Sequence, residues 1–299
     1  MGDAFYYLLL VGVCVMATVR SMAHRLYINV SGSAPISTYR FSALSTFIFS
    51  VMMLATMGFR LEVSWFSLAV GTFIGLSNVC CIYLAFRVME EGGISRYTLF
   101  LNLGGMILPF FYGLFFNGDA WTVGKFICLL LLGGALFLNL EKGEKSSFQI
   151  KLYSLCIFML NGLGCVALSF HQSNPLGARA VNGDSFTVLY MLLNTLFGLI
   201  ILLFLSRRKK EVQPTQDKKT LLKSLAYTAA YGLLYGFGNY LLAVCLLHID
   251  PSYQFPIFTG GTVLLAGFAG LPFGEKLTKR FFLSAALVLV GTTALLLPF

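Results

Sequence analysis

The sequence predicts an all-α polytopic membrane protein: ten transmembrane helices arranged as an inverted 5+5 repeat. Three observations predict it: the composition, ten long apolar runs, and an internal likeness between the two halves. Of 299 residues, 58% are apolar and 11% are charged, where a soluble domain runs nearer about 45–50% and about 25%. Such a chain is the opposite of a disordered one, and it is poor material for a soluble enzyme. A spanning helix uses ~20 residues, so ten of them would take up ~200 and leave ~100 for ends and loops.

The runs fall at 4–24, 38–58, 65–87, 95–116, 121–140, 150–170, 185–206, 224–247, 253–272 and 279–298. Each is expected to be a helix, because lipid offers the backbone no hydrogen-bond partner and a helix satisfies it internally. An outer-membrane barrel would alternate apolar and polar residues in ~10-residue segments, and a run such as Phe126–Leu138 does not alternate. The first run follows Met1-Gly2-Asp3, without the basic stretch of a cleavable signal, so it is expected to stay as a span. Ser31-Gly-Ser-Ala-Pro35 separates spans 1 and 2, Glu90-Glu-Gly-Gly93 separates 3 and 4, and Asn117-Gly-Asp119 separates 4 and 5. Asp250-Pro251-Ser252 opens span 9, with proline where its missing N–H costs nothing. The hydrophilic stretch Arg207–Lys223, with seven basic and two acidic residues, reads as a solvated loop between spans 7 and 8. The division is thus 1–145 for the first five-helix repeat and 146–299 for the second.

Shifting the chain by 156 lays Tyr97–Leu140 on Tyr253–Leu296 without a gap, and nine of the 44 pairs are identical. Tyr97 meets Tyr253, Gly104-Gly105 meets Gly260-Gly261, and Gly118-Asp119-x-x-Thr122 meets Gly274-Glu275-x-x-Thr278. Gly75-Leu-Ser-Asn78 resembles Gly236-Phe-Gly-Asn239, five residues out of that register. Five spans per half is an odd number, so the second half must lie upside down relative to the first. Inverted repeats recur in secondary transporters, with the solute site near the midplane between halves.

Two halves that each end in a Gly-acid-x-x-Thr turn and an apolar span with a late glycine resemble the EamA-type branch of the drug/metabolite transporter superfamily. The stretches are Gly118–Gly134 and Gly274–Gly291, and Pro35-x-x-x-x-Arg40 is similar to that family's approach to its second helix. Asp119 stands where the family usually has Glu. The resemblance covers nearly the whole chain through short, degenerate motifs. It implies ten helices and export or exchange of small metabolites by alternating access, and it names no substrate.

All twelve acidic residues fall at span ends or in loops, so no carboxylate is expected at depth. An exporter of organic cations would want one there as cation partner and proton carrier. Basic residues reach further. Arg20 follows sixteen residues of span 1 after Ala4, and its fixed fork of donors suits a carboxylate or phosphate. His24 lies one turn later on the same face. The candidate substrate-binding residues are therefore Arg20, the amides Asn78, Asn102, Asn161 and Asn239, and Tyr97, Tyr253 and Thr259 in the repeat-related spans 4 and 9. Each has a structural alternative: snorkelling for the arginine, helix–helix bonding for the amides, and interfacial anchoring for the tyrosines. Asp119 and Glu275 read as N-cap or first-turn residues of the spans they precede. The seven cysteines lie inside apolar runs without Cys-x-x-Cys spacing and read as packing residues.

The net charge of +9 suits anionic lipid better than nucleic acid, because no basic stripe alternates with exposed aromatics. Eighteen of the 21 Lys and Arg fall on the side of the loops after odd spans, and only Arg60, Lys125 and Arg179 on the other. By the positive-inside rule both termini are expected to face away from the cytoplasm. The favoured activity is secondary transport of small polar metabolites, amino acids or organic anions above all, across a plasma or inner membrane. Its partners are the bilayer and a small-molecule substrate, with H+ or Na+ coupling and a homodimer left open and no cofactor, metal or catalytic group called for. The rival readings are an exporter of drugs or organic cations and a membrane-embedded lipid-modifying enzyme.

Overall fold

The computed structural model describes residues 3–116, 122–140, 148–208, 217–246, 248–249 and 251–294; the side chains of 3, 136, 139, 140, 243, 246 and 251–256 also lie outside the description. Among the described residues the chain is helical throughout, without strands. The helices are α1 (Asp3–Ser31), α2 (Pro35–Thr56), α3 (Trp65–Phe116), α4 (Val123–Leu140), α5 (Phe148–Ser173), α6 (Gly183–Arg208), α7 (Lys218–Leu246), α8 (Pro251–Gly270) and α9 (Lys279–Ala294). A 3₁₀ turn, Leu271–Phe273, follows α8. Among the described residues, five helices (α1, α2, α3, α5 and α6) are long and apolar enough to cross a bilayer, and 123–135 and 257–273 are shorter apolar segments.

Spans 3 and 4, expected as separate runs around a Glu-Glu-Gly-Gly break, are continuous in α3 and meet at Gly93, whose φ of 80° and ψ of 174° are non-helical. Few residues other than glycine adopt that backbone region. A straight 52-residue helix would be ~78 Å long against ~30 Å of hydrocarbon. The helix doubles back instead. α5 follows both limbs: Ile150 lies beside Gly92, while at its other end His171 bonds Ser67 at 2.8 Å and Ser173 meets Tyr112 at 3.5 Å. The second limb crosses α5 with backbones in contact, since a Cβ on Gly104 would strike the Phe158 carbonyl and one on Gly162 would lie 2.6 Å from the Gly104 oxygen.

Two further boundaries differ from expectation. The first span, expected to end at 24, continues to Ser31, because its late polar residues turn inward: His24 is buried and Arg20 lines an internal pocket. The loop expected over 207–223 is narrower, as helix occupies 207–208 at one end and 218–223 at the other.

α1 packs on α7 and α8, α2 on α6 and α7, α3 on α5, α6 and α8, and α4 on α9. One apolar cluster gathers Tyr27, Phe41, Phe86, Met89 and Ile157 from α1, α2, α3 and α5. Another gathers Phe100, Leu103, Cys128, Val263 and Val288 from α3, α4, α8 and α9.

Glu275 does not cap the helix it precedes. Its carboxylate accepts hydrogen bonds from the backbone N–H of Ile94 (2.6 Å) and of Ser95 (3.3 Å) and from Ser95 Oγ (3.0 Å). It thus satisfies the start of the second limb of α3, where unpaired amides and the positive end of the helix dipole favour an anion. The cap of α9 itself is Thr278, whose Oγ accepts the Phe281 N–H at 3.2 Å, as Thr122 accepts that of Lys125 at 3.3 Å at the start of α4. Within the Gly-acid-x-x-Thr motif the threonine serves its own helix and the acid reaches a neighbour. Asp119 lies outside the described residues.

Candidate functional site

A pocket of about 90 Å³ lies between α1, α2, α3, α5, α6 and α7, and both limbs of α3 contribute to it. From α1 comes Arg20, eleven residues before the helix end and so ~16 Å inside it. Its guanidinium carbon stands 4.3 Å from the ring centre of Tyr235 and 5.6 Å from that of Tyr231, both on α7. The i, i+4 spacing puts those two rings on one face of their helix. Such cation–π contacts contribute about 0.5–2 kcal/mol each. Lining residues from α2 are Ser42, Ser45 and Thr46, from α5 Asn161, and from α6 Met191 and Asn194. No carboxylate is among the described residues that line the pocket.

The polar wall is held by bonds between helices. Ser42 Oγ donates to Asn194 Oδ1 at 3.3 Å, and Thr46 and Thr195 share a hydroxyl–hydroxyl bond of 2.8 Å. Asn161 Nδ2 donates to the Leu101 carbonyl at 2.8 Å. α6 seats closely against α3, since a Cβ on Gly75 would lie 3.2 Å from Asn194 N. Toward the Ser31 end of α1 the pocket gives way to a box of rings. His24 stacks on Phe41 at 4.8 Å and meets Phe86, Tyr231 and Tyr97 at 4.6, 5.6 and 6.1 Å. Neither of its ring nitrogens has a hydrogen-bond partner.

Of the residues singled out in sequence, Arg20, Asn78, Tyr97 and Asn161 come together around this pocket. Asn102 stands apart, its amide donating to Thr262 Oγ at 2.9 Å between α3 and α8. Asn239 turns back on its own helix and bonds the Tyr235 carbonyl at 2.7 Å. Thr259 is buried in α8, where its carbonyl accepts the Thr262 hydroxyl at 3.0 Å. The side chain of Tyr253 lies outside the description. Sequence reasoning missed Ser42, Ser45, Thr46, Asn194, Tyr231 and Tyr235. Signals existed for most of them: six hydroxyls between Ser37 and Ser50 cluster on the buried side of an otherwise apolar helix, and the two tyrosines are four apart.

A second cavity, of about 640 Å³, opens where α3 bends, among the turn before α9 and the ends of α1, α4 and α5. Small-molecule pockets usually measure about 300–1,000 Å³, so the outer cavity falls within that range and the inner one below it.

Twenty-four solved chains resemble this structure. One of them, described as "Crystal structure of protein", shares 14% sequence identity with a TM-score of 0.62 over 95% of each chain. At that identity the likeness is one of fold. No family model and no curated protein matches the chain.

Proposed function

We infer that the protein is a secondary carrier for small polar metabolites bearing an anionic group, amino acids or organic anions, working by alternating access. The observation that carries this reading is Arg20, set between tyrosine rings in a polar pocket whose described lining includes no carboxylate. A fixed fork of donors without an acidic neighbour is suited to a solute carboxylate. A pocket made for organic cations would want the reverse.

The packing supports an inverted five-plus-five arrangement. With α3 counted as two helices, the most extensive helix pairs exchange with one another, or with themselves, when each helix is replaced by the one five places on. α1 on α7 becomes α5 on the first limb of α3; α1 on α8 becomes α5 on the second limb. α2 on α6, α4 on α9 and the second limb on α8 map onto themselves, as pairs along a twofold axis must. Membership of the EamA-type branch rests on the Gly-acid-x-x-Thr turns and the likeness of the halves. Eighteen of the 21 Lys and Arg sort in sequence to the side of the loops after odd spans, and on that count the end of the bundle holding the α3 bend is assigned to the cytoplasm.

The test is counterflow in proteoliposomes loaded with unlabelled amino acids or organic anions, after a thermal-shift screen has narrowed the solute. Arg20→Gln is expected to lose at least tenfold in solute affinity while Arg60→Gln keeps it. Equal loss in both, or uptake that strictly requires ATP, would overturn the reading.

A further inference from the structure

The outer cavity is lined by six cationic side chains, Arg25, Arg96, Lys151, Lys276, Lys279 and Arg280, against three carboxylates, Glu90, Glu91 and Glu275. Two of those carboxylates are already engaged. Glu275 accepts from Ile94 and Ser95, and Glu90 accepts from Ser33 and pairs with Arg87 at 3.8 Å. Arg25 donates through one terminal nitrogen to the Glu90 carbonyl at 3.3 Å, while its Nε and other terminal nitrogen are buried without a partner. Those two nitrogens point away from different sides of the guanidinium, so each can donate separately to an oxygen of a bound anion. Buried donors left unpaired are costly, and they mark a place where a ligand oxygen is wanted. The lining also includes the half-buried ring of Phe281 and the buried side chains of Leu99 and Val263.

We propose that this cavity is a phosphate-binding site, anchored by Arg25 and completed by Lys276, Lys279 and Arg280, and distinct from the Arg20 pocket. Its place at the end of the bundle and the partly open ring of Phe281 favour the phosphate of an anionic phospholipid, with an acyl chain along Phe281. Basic pockets between helices at the membrane surface take such headgroups. A soluble phosphate compound offers the same oxygens, and the experiment separates the two sources.

The full chain in nanodiscs of phosphatidylcholine, doped with increasing phosphatidylglycerol, is read by native mass spectrometry for retained lipid. Wild type is expected to hold phosphatidylglycerol at least tenfold more tightly than phosphatidylcholine. Lys276→Gln/Lys279→Gln/Arg280→Gln changes exposed residues only and is expected to lose that preference. Lys218→Gln/Lys219→Gln, exposed in the first turn of α7 and outside the cavity, should keep it within twofold. Inorganic phosphate in a parallel thermal-shift titration stabilises wild type but not the triple variant if the soluble source is the one used, which also supports the site. No preference in wild type together with no phosphate effect, or equal loss in both variants, overturns it. Counterflow through the Arg20 pocket is scored separately, so failure here leaves the carrier reading to its own test.

Discussion

Replacing Glu275 by alanine tests whether the turn before α9 holds the α3 bend in place. The carboxylate accepts three hydrogen bonds, two from the first amides of the second limb and one from the Ser95 hydroxyl. Bonds to a charged acceptor contribute about 1.5–3 kcal/mol each when buried, whereas losing a helix cap costs about 0.5–2 kcal/mol. The carboxylate is half-buried beside a wide cavity, so water can reach the freed amides and the full buried cost does not apply. A loss of about 2–3 kcal/mol is expected for Glu275→Ala. Glu275→Gln keeps an acceptor oxygen without the charge and should lose about half as much. The measurement is reversible unfolding of the purified protein in graded denaturing detergent. The control is Glu91→Ala, which removes the same charge from an exposed position near the bend and should remain close to wild type. If Glu275→Ala is no less stable than Glu91→Ala, the contact across the bend holds nothing.

Gly93→Ala should cost about 1–3 kcal/mol in the same assay, since the backbone there is all but reserved for glycine and the added methyl would meet the Glu275 carboxylate; Gly133→Ala, with open space around it, should be neutral or slightly stabilising. Cysteines placed at Arg60 and Lys218 in a cysteine-depleted chain should react with impermeant maleimide from opposite sides, Lys218 from the cytoplasm; labelling from one side alone contradicts the packing. Asn194→Asp sets a carboxylate into the Arg20 pocket and should abolish solute-induced thermal stabilisation while leaving the protein folded; unchanged stabilisation would separate the solute from Arg20.

The apolar runs located helices well, because in lipid a backbone has few other ways to satisfy itself. What they missed follows from the same physics. Glu90-Glu91-Gly92-Gly93 looked like a loop, yet helix persists up to Gly93, because Glu90 is held by Ser33 and Arg87 and one residue's dihedrals suffice to reverse the direction. In sequence Arg20 is compatible with a cavity and with snorkelling alike, and the turn of α1 brings it and His24 into the bundle. A sequence records that a charge is present but not which way its helix is turned. Of the amides, Asn161 faces the pocket while Asn102 and Asn239 spend their donors on Thr262 and on a neighbouring turn. Nothing in their spacing separates these uses. The hydroxyls of α2 were legible in principle, as a polar stripe on a helix otherwise fit for lipid.

The pairing of Arg20 with rings, rather than with a carboxylate, bears on mechanism. An arginine at the centre of a spanning helix costs about 2.5–3.5 kcal/mol on insertion scales, and two cation–π contacts together return about 1–4 kcal/mol. The rings can therefore hold the charge with little net penalty while leaving the donor fork uncommitted. An internal carboxylate would hold it better, but every anionic solute would then have to displace a permanent salt bridge, and breaking one partner from such a pair is strongly unfavourable. Tyr231 and Tyr235 also sit on α7 while Arg20 sits on α1, helices that belong to opposite halves of the chain. On the proposed carrier reading, rocking one half against the other would shift the guanidinium relative to its rings and so would tie the strength of solute binding to the movement that opens the pocket. Such a coupling is what the proposed carrier would require and a static anion store would not.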